Sequence, residues 1–148
     1  MSLQQIIDQD IKSAMLNKDS SRLRGLRAIK AALLVAKTEK GAETMTEDIE
    51  IRVLQRLVKQ RKESADIYQA QNRQDLYQIE QEELKVIETY LPKQMDRSEI
   101  SAHISDVIAR TGASGMKDMG KVMGIVNKDL AGKADGKTIS ELVKELLT

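Results

Sequence analysis

The sequence predicts an all-α fold, and three observations predict it. Good helix formers (Ala, Leu, Lys, Glu, Gln and Arg) dominate a chain of 148 residues that has 8 glycines and a single proline, Pro92. Apolar residues recur at spacings of three and four along most of its length. Strand-like alternation between turn signals is found nowhere. A chain this long buries most of a core. With Phe, Trp and Cys absent, that core is built of Leu, Ile, Val, Met and Ala.

Leu3, Ile6, Ile7, Ile11 and Ala14 define a first helix at the 3.6 period. Asp19 or Ser20 caps a second, over about 21–39, which Gly41 breaks. Its stretch from Ala28 to Ala36 is apolar nearly all round, which places it centrally in a bundle. Thr46 opens a third helix, with Glu47 and Asp48 facing the positive end of the helix dipole, and this one runs to about residue 70. Asn72-Arg73 turns the chain into a fourth helix, which ends at Tyr90-Leu91-Pro92.

Pro92 and the polar stretch after it divide the chain into a four-helix subdomain, residues 1–92, and a three-helix subdomain, residues 93–148. In the second, Asp96-x-x-Glu99 reads as a capping box for a fifth helix that Gly112 closes. Ser114 caps a sixth that reaches about residue 130. Asp135 caps the last, whose apolar face is Ile139, Leu142, Val143, Leu146 and Leu147.

Composition excludes several classes of function. No cysteine means no disulfide, no thiolate metal site and no cysteine nucleophile. The first residues lack a basic region before an apolar run, so they do not read as a signal peptide. No apolar run approaches the 18 or so residues of a membrane span. The expectation is a soluble protein of the cytoplasm, without membrane partner, cofactor or metal.

Helical phase aims charged residues inward. Arg61 lies in the middle of the third helix's apolar face of Val53, Leu54, Leu57, Val58, Ala65 and Tyr68. Glu80 and Glu83 lie among Leu76, Ile79, Leu84, Ile87 and Tyr90 on the fourth, and Asp10 lies within the apolar stripe of the first. A salt-bridge network between helices is the expected outcome, since buried charge is tolerated when paired. Carboxylates on facing helices also hold metals in di-iron bundles, but those use a Glu-x-x-His pair. The one histidine, His103, is in the other subdomain.

The formal charge is only +1, yet residues 20–38 carry Arg22, Arg24, Arg27, Lys30 and Lys37 with no acid among them. Arg24, Arg27 and Lys30 fall on one stripe of the second helix. Arg52, Arg56 and Lys59 form another on the third, but Asp48, Glu63 and Asp66 share it, which predicts compensating pairs along the helix. The uncompensated second helix is therefore the phosphate-binding candidate, joined by Lys117, Lys121, Lys133 and Lys137 of the tail. The scarcity of aromatic residues argues against base stacking and for recognition of folded RNA by shape and backbone.

In the tail, Gly120 and Gly124 lie on one face of the sixth helix. Each costs about 1 kcal/mol against alanine, which predicts close packing of a neighbour and a clash on Gly120→Leu. The loop Gly132-Lys133-Ala134-Asp135-Gly136 reads either as a tight turn, with a glycine C-cap and an Asp135 N-cap, or as a phosphate-facing turn. In the second reading Lys133 and Lys137 sit beside free amides at a helix N-terminus.

Four stretches carry a family resemblance: Leu26-Arg-Ala-Ile-Lys-Ala-Ala-Leu33, Lys59-Gln-Arg-Lys-Glu-Ser64, Glu83-Leu84 with Tyr90-Leu-Pro92, and Asp118 to Gly136. In that order, and over nearly the whole chain, they resemble the small YqeY-type proteins. Those share a module with the tail of GatB, the tRNA-binding subunit of glutamine-dependent tRNA amidotransferases. The resemblance implies a two-part helical fold, tRNA as partner and an association with carbon–nitrogen ligation using glutamine as amido donor. It implies no catalytic residue here, because the GatB region that activates glutamyl-tRNA and the amidase subunit's Ser-Ser-Lys machinery have no counterpart in this sequence. The alternative expectation is an adaptor that binds a protein partner.

Overall fold

In a computed structural model, residues 1–39 and 45–148 are described, and the break expected at Gly41 lies outside them. The described residues form seven α-helices and one short 3-10 turn: α1 (Leu3–Leu16), α2 (Ser20–Glu39), α3 (Glu47–Ala70), α4 (Gln74–Glu88), α5 (Arg97–Thr111), the 3-10 turn Met116–Asp118, α6 (Met119–Asp129) and α7 (Gly136–Leu147). The fold is all-α. Its helices group into two compact units, Met1–Leu91 and Pro92–Thr148.

In the first unit, α2 packs against each of α1, α3 and α4. Its core joins Ile7 and Ala14 of α1, Leu26, Ile29 and Leu33 of α2, Leu54 and Leu57 of α3, and Ile87 of α4. The central position expected for α2 applies to one side only. Leu34 and Val35, in its last turns, are 44% and 56% exposed. A complete capping box starts α1: the Ser2 hydroxyl accepts from the Gln5 amide while the Gln5 side chain accepts from the Ser2 amide. Thr46 caps α3 by accepting from the Ile49 amide at 3.3 Å. Two non-glycine residues, Lys18 and Asn72, take left-handed backbone at the α1–α2 and α3–α4 turns.

The second unit closes α5, α6 and α7 around Ile100, Ile104, Val107, Val122, Val126, Leu130, Ile139, Leu142, Val143 and Leu147. Asp96 caps α5 through the Glu99 amide at 2.8 Å. Gly112 ends that helix at φ +66°, where a Cβ would be strained. Ser114 is not the cap of α6. Its amide donates to the Asp118 carboxylate at 2.8 Å, and the chain passes through Gly115 at φ +71° and the 3-10 turn before α6 begins. The tighter turn moves the start of α6 five residues past the expected cap.

Candidate functional site

The inward charges of α3 and α4 meet. Arg61 Nη1 lies 3.3 Å from Glu83 Oε2 and 3.5 Å from Glu80 Oε2, and both glutamate side chains are 12% exposed. Both contacts are Coulombic pairings rather than hydrogen bonds, and Glu80 Oε2 and Arg61 Nε have no hydrogen-bond partner. Glu83 also reaches back to α2, with Oε1 3.8 Å from Arg24 Nε. One carboxylate thus links three helices.

Asp10 is not in this network. It accepts a 2.5 Å hydrogen bond from the Tyr90 hydroxyl, with Arg22 Nη2 3.9 Å from the same oxygen. Burial, and then the bond to the Asp10 carboxylate, pushes the Tyr90 phenol up to about 12. Tyr90 stands in the last turn before Pro92, so this bond fixes the exit of the first unit to α1.

The expectation of an uncompensated α2 is corrected. Arg24 donates to Glu82 of α4 at 2.8 Å, Lys30 Nζ lies 2.9 Å from Asp8 of α1, and Arg22 faces Asp10. The acids come from neighbouring helices, so a scan along α2 alone does not count them. Among the described residues, Arg27 keeps an exposed guanidinium with no carboxylate within 4 Å. The reverse correction applies to α3. Arg52, Arg56 and Lys59 are exposed, and none of them pairs with Asp48, Glu63 or Asp66 within 4 Å.

The second unit segregates its charges. Asp96, Asp118 and Asp135 accept from backbone amides, Asp106 pairs with Arg110, Asp129 with His103, and Glu141 and Glu145 with Arg97. Every lysine of this unit, Lys117, Lys121, Lys133 and Lys137 included, is exposed, and among the described residues no carboxylate lies within 4 Å of any of them. Lys121 and Lys128 share the solvent face of α6 at helical phase, and Lys117 precedes them in the 3-10 turn. Lys128 was overlooked in the sequence, although it lies seven residues, two turns, from Lys121.

Gly120 and Gly124 lie on that same face. Close packing is not their role within the unit: a Cβ at either position meets nothing within 4 Å, so Gly120→Leu would enter open space. In the loop after α6 three amides are occupied. The amides of Lys133 and Ala134 donate to Leu130 O, and the Lys137 amide donates to Asp135. Gly132, at φ +77°, turns its carbonyl to Gln94 Nε2 at 2.8 Å, and Lys133 O accepts from the Met95 amide. The turn ties α6 to the segment before α5. Gly136 starts α7 in open space.

Curated relatives include three fungal proteins named "Altered inheritance of mitochondria protein 41, mitochondrial". The one from Meyerozyma guilliermondii is 31% identical over 95% of this chain and 74% of its own length. The one from Clavispora lusitaniae is 32% identical over 82% of this chain and 72% of its own length. The one from Vanderwaltozyma polyspora is 28% identical over 76% of this chain and 64% of its own length. These names place the relatives in mitochondria and overturn the expectation of a generic cytoplasmic protein, which rested on the lack of cysteine, of a signal-peptide pattern and of a long apolar run. The family model described as Yqey-like protein matches residues 4–147, and the chain belongs to that family.

Proposed function

We propose that this protein is a helical module that holds folded RNA of the tRNA class by its phosphate backbone, as an accessory to chemistry performed by another polypeptide. The observation that carries this reading is the solvent face of α6. Lys121 and Lys128 stand there, and Lys117 lies in the 3-10 turn just before it. None of the three has an acid partner among the described residues, and Gly120 and Gly124 leave the helix backbone bare. Each glycine costs the helix about 1 kcal/mol, and no contact inside the unit offsets it. A bare strip between ammonium groups gives a phosphodiester chain close approach. Lys133 and Lys137 extend the lysine-bearing surface into the turn and the start of α7.

The test is binding of purified protein to bulk tRNA at 50 and 200 mM salt, with a Lys117→Ala/Lys121→Ala/Lys128→Ala variant beside it. With about four phosphate contacts, affinity falls roughly a hundredfold between those two salts. Steep salt dependence that the variant loses supports the reading. No binding at low salt overturns it and leaves a protein-interaction adaptor, which the exposed Leu34 and Val35 of α2 favour.

A further inference from the structure

Between Arg52 and Glu63 the exposed residues of α3 are Arg52, Arg56, Lys59, Gln60, Lys62 and Glu63. Four are cations, one is an acid and none is apolar. Among the described residues no carboxylate lies within 4 Å of any of these four cations, whereas Arg22, Arg24, Lys30, Arg61 and Arg73 of the same unit are all paired. The first unit thus pairs four of its seven arginines internally, and the three left unpaired among the described residues are Arg27 on α2 and Arg52 and Arg56, which share one face of α3. Glu50, two residues before Arg52 and on another side of α3, accepts from the Leu3 amide at 2.7 Å.

We propose that this face of α3 is a second polyanion-docking surface and takes the phosphate backbone of the same RNA. The proposal rests on the RNA-holding reading above and adds a contact site on the other unit. From Arg52 to Lys62 the helix rises about 15 Å at 1.5 Å per residue. That length spans more than one phosphate of a nucleic-acid strand, so the row can hold a phosphate backbone at several points. Two of the four cations are arginines, whose planar fork meets phosphate oxygens two at a time. Asp48 and Asp66 bound the row, so the strand follows α3 only over this span. An acidic protein segment fits less well, because protein interfaces are anchored by apolar and aromatic side chains, and no apolar residue is exposed over this stretch.

The experiment compares wild type, Arg52→Ala/Arg56→Ala/Lys59→Ala and the α6 triple variant in tRNA binding from 50 to 200 mM salt, with helicity checked by circular dichroism. Alanine keeps the helix, so the α3 variant folds. It is expected to bind tRNA at least about tenfold more weakly at 50 mM and to lower the salt slope by about 3, one per lost contact. Unchanged affinity and slope in the α3 variant, while the α6 variant loses binding, overturns the α3 surface and leaves the RNA reading standing. A wild type that binds no tRNA overturns both. Poly-glutamate binding that depends on the same three residues and competes with tRNA at equal concentration overturns the assignment to nucleic acid.

Discussion

Gly25 of α2 lies so close to Val86 of α4 that a Cβ built on it would sit 2.7 Å from Val86 Cβ and 2.8 Å from Cγ1. Val86 cannot rotate out of the way, because its Cβ is fixed by the backbone and its branched side chain is stiff at χ1. The absent side chain therefore sets how near the two helices come. Gly25→Ala gains about 1 kcal/mol of helix propensity but overpacks the contact, so a net loss of about 1–2 kcal/mol is expected. Denaturant unfolding reads it, and Gly25→Ala/Val86→Ala should recover part of the loss. A midpoint that rises in the single variant would show that α2 moves aside freely.

Gly120 and Gly124 should behave in the opposite way. Both are exposed, helical and without a neighbour for a Cβ. Gly120→Ala and Gly124→Ala are each expected to stabilise the second unit by about 0.5–1 kcal/mol, while the double substitution weakens tRNA binding by covering the bare backbone. A lowered melting temperature in either single variant would mean that something packs on this face.

Fold class was legible because each helix carries its own apolar stripe, and a 3.6 period needs no tertiary information. The contrast between the glycines was also within reach. Gly25 is in phase with the buried Ile29 and Leu33, whereas Gly120 is in phase with the exposed Gly124 and away from the buried Val122 and Val126. A count of glycines within helices does not separate the two cases, but their phase does. Charge compensation was not legible in this way. Asp8, Asp10 and Glu82 neutralise α2 from other helices, and helical phase says only which residues share a face, never which helix will meet it. For the same reason the shared face of α3 promised ion pairs that the side chains do not make.

The link from Glu83 to Arg61 and Arg24 predicts a strong coupling. Glu83→Ala leaves Arg61 with Glu80 alone, 3.5 Å away and without hydrogen-bond geometry. A loss of about 2–3 kcal/mol is expected, since a half-buried guanidinium loses its better partner. Arg61→Met/Glu83→Leu, which removes both charges and fills the space, should lie within about 1 kcal/mol of wild type. Urea unfolding of Arg61→Met, Glu83→Leu and the pair closes the cycle. Simple additivity of the two losses would sink the coupling.

Tyr90 and Asp10 give the first unit a dependence on alkaline pH. The folded state holds the Tyr90 phenol at about 12, above its ordinary value of 10.0, because burial and the bond to Asp10 favour the protonated form. A raised folded value means that this stabilisation is whole below about pH 10 and is lost as pH climbs towards 12. Tyr90→Phe should cost about 1 kcal/mol at neutral pH through the lost hydrogen bond, and the gap between variant and wild type should close as pH rises through that window. The difference in absorbance at 295 nm between the two proteins isolates the titration of this one phenol. A midpoint near 12 agrees with the clamp at the end of the first unit. A midpoint near 10, with the stability gap unchanged across the window, would mean that the hydroxyl is solvated and the bond to Asp10 does not hold in solution.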